Sequence, residues 1–320
     1  MNVETHSQSA PYAVLFPGQG SQSVGMLAAL SAMHPEVGQT LQEASEHLAF
    51  DLAALISQGP REVLDQTENT QPALLAAGVA VWRVWQAQGV PAPQVLAGHS
   101  LGEYTALVAA GSLAFADALK LVRLRGQLMQ AAVPEGQGGM AAVIGLDDTQ
   151  VAALCAACAV SGLLAPANYN APGQVVVAGE TAALDWLAAH GKAHGARMVM
   201  RVGMSVPSHC SLLKPAAEKL AEALAGIAVQ SPKIRVLHNI DAAPRQSADD
   251  IRTALAAQLH QPVQWTRTLD ALAVGGIKTF LECGPGKVLM GLVKRTVDGA
   301  SMSALEDPAV LAATAQSLKN

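Results

Sequence analysis

Blocks of apolar residues along the chain predict alternating strands and helices. Residues 12–16 (YAVLF) are continuously apolar, which predicts a buried strand. Residues 72–88 and 115–132 have the apolar spacing of amphipathic helices, and residues 95–100 (VLAGHS) predict a short strand between them. Buried strands that alternate with helices are typical of an α/β fold with a parallel sheet.

The pattern changes at residues 134–139 (PEGQGG), which mark a domain junction. Six segments follow in the order strand, helix, strand, strand, helix, strand, as in a ferredoxin-like unit. Helices and strands then alternate as they did before. We therefore predict a discontinuous large domain, residues 1–132 and 205–320, and an inserted ferredoxin-like small domain, residues 133–204.

Composition excludes several classes of function. Hydrophobic residues make up 51% of the 320 residues and charged residues only 14%, with a net charge of -5. A nucleic-acid-binding protein would show a basic stripe, and this chain has none. Apolar runs are interrupted before the ~18 residues of a membrane span, and the polar N-terminal segment does not resemble a signal peptide. We expect a soluble cytoplasmic protein.

The cysteines point to neither a disulfide framework nor a metal site. The chain has four cysteines, two of which form a lone C-x-x-C, Cys155 and Cys158, in an apolar stretch. A structural zinc ion needs four ligands, and no second pair lies at the right spacing. We predict two buried thiols and no bound metal.

The stretch GHSLGEY (residues 98–104) carries the strongest chemical signal. A strand, then G-x-S-x-G, then a helix is the context of a nucleophile elbow, which makes Ser100 a candidate nucleophile. The start of the helix favours an oxyanion there, and the Leu101 N–H is the natural first donor. The loop GQGSQ (residues 18–22) would supply a second. A helix-capping role would explain Ser100 but not both glycines, and a dinucleotide fingerprint fails at Ser23.

A serine nucleophile needs a base, and the chain has nine histidines. His99 adjoins Ser100, but neighbouring side chains diverge. His209 lies in the loop where the chain re-enters the large domain, so it is the preferred candidate. Three further histidines at the ends of predicted elements stay open: His34, His238 and His260.

Several motifs together resemble one family. GQGSQ, GHSLGEY, an arginine 25 residues after the serine, VPSH, QLHQPVQW and ECGPGKVL resemble segments of the malonyl-CoA:acyl carrier protein transacylases of bacterial fatty-acid synthesis. The similarity runs from about Phe16 to Thr296. It implies an α/β-hydrolase-like large domain with an inserted ferredoxin-like small domain, in agreement with the pattern above.

The resemblance also implies roles for individual residues. Taken from spacing alone, Arg125 and Gln258 would be solvent-facing residues on their helices. The family positions imply instead an acylated serine, its base, a residue that orients the base, two backbone oxyanion donors and a cation for the malonyl carboxylate. These are Ser100, His209, Gln258, Gln19 with Leu101, and Arg125, respectively.

The expected activity is transfer of a malonyl group from malonyl-CoA to the phosphopantetheine thiol of acyl carrier protein, through a malonyl-serine ester and without a resident cofactor. Alternatives are a polyketide acyltransferase, a serine esterase or thioesterase, and a non-enzymatic scaffold. A hydrolase would want a carboxylate beside its histidine, such as Asp117, Asp147 or Asp241. The triplet before the histidine, residues 206–208, leaves methylmalonyl-CoA open as a side substrate.

An acidic carrier protein would need a basic surface, for which the candidates are Lys120, Arg123, Lys214, Lys294 and Arg295.

Overall fold

The computed structural model describes residues 11–134, 136–203 and 206–319. They form two sheets and the helices that cover them. The strands are β1 (Tyr12–Phe16), β2 (Val95–Gly98), β3 (Gly138–Ile144), β4 (Leu164–Ala171), β5 (Gln174–Glu180), β6 (Met198–Arg201), β7 (Arg235–Leu237), β8 (Thr279–Glu282) and β9 (Ser301–Ala304).

Helices account for most of the remaining described chain. They are α1 (Ala28–Met33), α2 (Pro35–Leu48), α3 (Leu52–Gln58), α4 (Arg61–Leu64), α5 (Thr67–Ala87), α6 (Gly102–Ala109), α7 (Phe115–Ala132), α8 (Asp148–Ala156), α9 (Thr181–His190), α10 (Lys214–Ala225), α11 (Ala248–Gln258), α12 (Trp265–Val274), α13 (Val288–Thr296) and α14 (Pro308–Lys319). A short 3-10 turn, Ser211–Leu213, precedes α10. No helix in the described ranges is long and apolar enough to cross a bilayer.

The larger sheet is parallel, with strand order β7-β2-β1-β8-β9. In the central strand, Ala13 lies opposite Val95 on one side and Phe280 on the other. Helices cover both faces: α5, α6 and α7 contribute to one apolar core and α12 with α13 to the other. Burial on both faces explains why β1 is apolar at every position, since a strand with one solvent face would alternate.

Most predicted elements of the large domain agree with the structure. β1 and α7 have the predicted bounds, and α6 ends just before Gly111. The helix predicted over residues 72–88 in fact begins at Thr67 and ends at Ala87. Asn69 and Thr70 lie in this added first turn, where their side chains donate hydrogen bonds to the carbonyls of Val63 and Leu64 at the end of α4.

The smaller sheet is antiparallel, with strand order β4-β5-β3-β6. This is the ferredoxin-like arrangement, and α8 and α9 pack on one face of the sheet. The other face is apolar and turns toward the large domain, where Cys210 packs against Met140, Ala142, Val176 and Ala178. The predicted fold class, a parallel α/β large domain with a ferredoxin-like insert, is confirmed. The boundaries at 132/133 and 204/205 stay predictions, and residues 204 and 205 lie outside the described ranges.

Candidate active site

The carboxyl edge of the parallel sheet holds a sharp turn between β2 and α6. Ser100 sits at its apex with a positive φ of 51°. A Cβ on Gly98 would lie 1.9 Å from the Gly102 carbonyl carbon, and one on Gly102 would lie 2.0 Å from the Phe16 carbonyl oxygen. Real atoms cannot approach so closely, so both glycines are needed for strand and helix to pass each other. The turn exposes the Ser100 side chain to a cavity between the two sheets.

One histidine reaches this serine. The Ser100 Oγ and the His209 Nε2 are 2.8 Å apart, although 109 residues separate them in sequence. The His209 Nδ1 lies 2.7 Å from the backbone carbonyl oxygen of Gln258. A carbonyl only accepts, so Nδ1 carries the proton and Nε2 is free to accept the serine proton. The arrangement is that of a serine nucleophile with an oriented base.

Burial keeps His209 neutral. Its side chain is only 3% exposed. Burial, reinforced by the nearby Arg125 cation, lowers the pKa of His209 from 6.5 to about 3, against a smaller opposing effect of the hydrogen bond to the Gln258 carbonyl. The imidazole is therefore unprotonated, as a base must be, throughout the neutral pH range.

Arg125 lies beside the same serine and is 1% exposed. The solvent-facing position expected for it from spacing alone is wrong. Its two terminal nitrogens donate to the side-chain oxygens of Gln71 at 2.8 Å and Gln258 at 3.0 Å, and one of them lies 3.3 Å from the Ser100 Oγ. Burial lowers the pKa of Arg125, but a guanidinium stays protonated in proteins.

This cation has no resident counter-ion in contact. Within the described ranges Arg125 forms no ion pair, and its Nε is buried without a hydrogen-bond partner. A buried cation without a carboxylate is costly, so the pocket is suited to a ligand that brings one.

The predicted oxyanion donors flank the cavity. Gln19 and Leu101 line it together with Ser100 and His209. In the described part of the chain, neither of their backbone N–H groups has a hydrogen-bond acceptor. The Gln19 side chain is turned away, toward the Thr67 hydroxyl at 3.3 Å. Two free N–H groups beside a nucleophile can receive the oxygen of a tetrahedral intermediate.

Gln258 is also buried, contrary to the expectation from spacing alone. It is 0% exposed, and two parts of it serve the site. Its backbone carbonyl orients His209, whereas its side-chain oxygen accepts from Arg125 and its side-chain nitrogen donates to the Ser100 carbonyl at 2.8 Å. A backbone carbonyl thus takes the place that a carboxylate occupies in many hydrolases.

Two buried residues that support the turn at Ser100 were not predicted from the sequence. The Asn239 side chain brackets the turn, accepting from the Ser100 N–H at 2.7 Å and donating to the Gly98 carbonyl at 2.7 Å. Glu103 is fully buried and accepts hydrogen bonds from Asn239 and Gln258. An acidic residue in the first turn of an apolar helix, and a polar residue where β7 ends, were the available signals.

The other predicted candidates do not reach the Ser100 hydroxyl. His99 lines the cavity, but its ring diverges from Ser100 as expected, and its Nε2 lies 2.8 Å from the Asn170 side-chain oxygen. His238 pairs with Glu103 below the elbow. Two of the three carboxylates considered for a hydrolase have other partners: Asp147 caps α8, and Asp241 pairs with Arg245. The remaining candidates have no contact with Ser100 or His209 among the hydrogen bonds of the described residues: His34, His260 and Asp117.

The cysteines play no part in this site. Cys155 is buried, but Cys158 lies beyond the end of α8 and is partly exposed, so the prediction of two buried thiols is half right. Burial raises the pKa of the Cys210 thiol, next to His209, to about 11. Over residues 11–134, 136–203 and 206–319, no three histidine, cysteine or acidic side chains are grouped closely enough to hold a metal ion.

The chain is similar to known proteins over most of its length. Residues 14–315 match the family model described as "Acyl transferase domain". The chain is 53% identical over 302 residues to the malonyl CoA-acyl carrier protein transacylase of Salmonella typhimurium, covering 94% of this chain and 98% of the relative.

Solved structures extend the similarity to three dimensions. The malonyl CoA-acyl carrier protein transacylase of Coxiella burnetii superposes with a TM-score of 0.96 at 46% identity, covering 98% of this chain and 99% of that one. A malonyl-transacylase solved in complex with its type II polyketide synthase acyl-carrier protein gives 0.94 at 50% identity, covering 96% and 99%. The chain belongs to the acyl transferase family.

Proposed function

We propose that this protein transfers a malonyl group from malonyl-CoA to the phosphopantetheine thiol of acyl carrier protein, through a malonyl ester on Ser100. The observation that carries the proposal is the buried, unpaired Arg125 guanidinium 3.3 Å from the Ser100 hydroxyl. A guanidinium pairs with a carboxylate through two parallel hydrogen bonds. An acyl group that ends in a carboxylate, as malonyl does, satisfies this cation, whereas an acetyl group does not.

In the first half-reaction the Ser100 Oγ attacks the thioester carbonyl of malonyl-CoA, and its proton passes to the His209 Nε2. The oxygen of the tetrahedral intermediate accepts from the Gln19 and Leu101 backbone N–H groups. The intermediate then collapses, the carbon–sulfur bond breaks, and the CoA thiolate takes the proton from His209. The products are free CoA and the malonyl-Ser100 ester.

The second half-reaction reverses these roles with a different thiol. His209 takes the proton of the carrier-protein thiol, and the thiolate attacks the ester carbonyl. When the ester bond breaks, the Ser100 oxygen recovers the proton from His209. One histidine therefore serves as base and then acid in each half, and its lowered pKa keeps it unprotonated at neutral pH, ready to accept the first proton.

Substrate binding also acts on the base. The Arg125 cation is one of the causes that lower the pKa of His209. A malonyl carboxylate paired with Arg125 offsets that charge, so His209 becomes more basic when the substrate is in place. The same contact thus selects the acyl group and strengthens the base.

A hydrolytic esterase is the second candidate, and the partner of His209 argues against it. The His209 Nδ1 meets a backbone carbonyl and not a carboxylate. A neutral acceptor stabilises the imidazolium less than a carboxylate does, and a hydrolase has no need of a cation in its acyl pocket.

The test is intact-protein mass spectrometry after incubation with malonyl-CoA. We expect a mass increase of one malonyl group, located on Ser100, that holo acyl carrier protein removes within seconds and water removes slowly. Equal loss with and without carrier protein would identify a hydrolase. An increase located on another residue would overturn the Ser100 assignment.

The proposal also covers the pathway and the need for a cofactor, while the cellular location remains a prediction. We place the reaction in fatty-acid synthesis, with a polyketide carrier protein as the alternative that a direct comparison of the two carriers would decide. Each proton transfer and bond change above is assigned to the chain or to a substrate, so we propose that no resident cofactor takes part. The cytoplasmic location stays a prediction of the sequence.

A further inference from the structure

Glu103 is a buried carboxylate that the reaction steps above do not use. It is on α6, three residues after Ser100, and is 0% exposed. Its two oxygens accept from three groups: His238 Nδ1 at 2.6 Å on one oxygen, and the Asn239 backbone N–H at 3.0 Å and Gln258 Nε2 at 2.9 Å on the other. None of the three is the nucleophile or the substrate cation.

The two groups that share one Glu103 oxygen both hold the peptide groups of Ser100. Asn239 accepts from the Ser100 N–H at 2.7 Å, and Gln258 donates to the Ser100 carbonyl at 2.8 Å. Ser100 has a φ of 51°, a left-handed conformation that costs energy for any residue but glycine. Its backbone therefore needs fixed partners on both sides, and both partners converge on Glu103.

Glu103 also helps to fix which way the Gln258 amide points. The Gln258 nitrogen faces three acceptors, the Glu103 carboxylate at 2.9 Å, the Ser100 carbonyl at 2.8 Å and the Asn239 side-chain oxygen at 3.4 Å, so its oxygen must face the Arg125 guanidinium. A reversed amide would place oxygen against oxygen on one side and nitrogen against nitrogen on the other.

We propose that Glu103 is a positioning residue for acyl transfer: its carboxylate locks Asn239 and Gln258, which hold the Ser100 backbone in its reactive conformation and keep an acceptor on Arg125. The inference rests on the proposed role of Ser100 as nucleophile. It assigns the effect to the arrangement of hydrogen-bond acceptors and not to the negative charge alone.

Three substitutions separate arrangement from charge. In Glu103→Gln the side-chain oxygen can still accept from Asn239 and Gln258, while the new amide nitrogen donates to His238 in its other tautomer. Glu103→Asp keeps the charge but is one methylene shorter, so it cannot reach both donors. Glu103→Ala removes every contact. Glu282→Gln is the matched control, since Glu282 is equally buried and, among the hydrogen bonds of the described residues, its carboxyl group accepts from backbone N–H groups at the start of α13.

The readout is the second-order rate of Ser100 labelling by an uncharged fluorophosphonate, with the thermal midpoint measured in parallel. This probe carries no carboxylate, so it reports on the serine without using Arg125. We expect Glu103→Gln to label within about 5-fold of wild type and both Glu103→Asp and Glu103→Ala to label at least about 30-fold more slowly. Glu282→Gln should lower the midpoint and leave the labelling rate unchanged.

Two outcomes would overturn the inference. The first is Glu103→Asp labelling faster than Glu103→Gln, because charge and not arrangement would then matter. The second is a labelling rate that follows the thermal midpoint across all four variants. If Glu103→Ala does not fold, the order of the other two still decides. Ser100→Ala is run beside them: labelling that persists there contradicts the nucleophile itself, whereas a failure confined to Glu103 leaves the proposed function intact.

Discussion

The two sheets meet at one cavity and contribute to it in different ways. The carboxyl edge of the parallel sheet supplies the turn at Ser100 and a network of buried polar groups, including Glu103, Asn239 and Gln258. The antiparallel sheet supplies an apolar face and, among the described residues, two residues of the cavity wall, Met140 and Asn168. The groups proposed to take part in the chemistry, including the Arg125 cation that would bind the acyl carboxylate, therefore lie in the large domain, whereas the antiparallel sheet contributes part of the cavity wall.

The two catalytic candidates with a strained backbone also lie in the large domain. Ser100 and His209 both have positive φ values, 51° and 60°, although neither is glycine. Such conformations persist only where surrounding contacts over-determine them, and they are concentrated at functional sites. Both residues belong to the large domain. Substitutions of Ser100 and His209 should thus mainly affect rate constants, whereas substitution of Asn168 in the antiparallel sheet should mainly affect KM.

The largest effect is expected at the nucleophile. Ser100→Ala should lower acyl transfer at least ~10³-fold and abolish the malonyl-enzyme, because no other side chain can carry the ester. The thermal midpoint should change little, since the hydroxyl contributes little packing. Malonyl-CoA turnover and intact mass are the measurements. A variant that still forms the ester at a near-normal rate would contradict the assignment.

His209→Ala should cost ~10²–10⁴-fold in both half-reactions, because one base serves both. Burst kinetics with malonyl-CoA and single-turnover transfer to carrier protein measure the two separately. A loss in only one half would mean that a second base acts in the other. His34→Asn is a suitable comparison, since His34 is not among the residues that line the cavity in the described structure.

The pH profile of the wild-type enzyme tests the lowered pKa of His209. Burial lowers its pKa from 6.5 to about 3, so kcat/KM for acylation should hold well below pH 6.5 before it falls. The unfolded chain binds this proton more tightly than the folded one. Its contribution to stability is therefore complete above pH 6.5 and is lost as pH falls toward 3. An acid limb centred near pH 6.5 would show that His209 is not buried as described.

A smaller effect is expected from the antiparallel sheet. The Asn168 side-chain oxygen is buried and has no hydrogen-bond partner within the described residues. We expect it to accept from an amide N–H of the phosphopantetheine arm. Asn168→Ala should then raise KM for malonyl-CoA by ~2–10-fold, with kcat nearly unchanged. A kcat loss as large as that of His209→Ala would erase the proposed division between the two sheets.

The smallest effect concerns carrier-protein docking. Of the predicted basic candidates, Arg123 stacks on Phe50, while Lys120, Lys214 and Lys294 are exposed. An acidic carrier protein attracted to such residues should transfer more slowly as salt rises, by a few-fold between low and physiological ionic strength. Acylation by CoA should respond less. Equal salt dependence of the two half-reactions would argue against electrostatic docking.

Features set by residues close together in sequence could be predicted from the sequence, whereas contacts between distant residues could not. The strand and helix around Ser100 were predictable because G-x-S-x-G is a local motif. His209 could be preferred but not singled out, since its contact with Ser100 spans 109 positions. Arg125 and Gln258 needed the family resemblance, because helix spacing does not reveal that a polar residue is buried beneath another element. Glu103 escaped notice because its partners come from distant loops.

The decisive measurement for the selection of malonyl by Arg125 is kcat/KM for malonyl-CoA and for acetyl-CoA, on the wild type and on Arg125→Ala. Removing the guanidinium leaves a desolvated malonyl carboxylate unpaired, at a cost of about 3–5 kcal/mol, or roughly 10²–10³-fold or more. Acetyl-CoA carries no carboxylate, so its kcat/KM should fall far less or rise. We expect the preference for malonyl over acetyl to collapse or reverse. A parallel loss on both substrates would mean that Arg125 only supports the fold, and would contradict its role in selecting the acyl group.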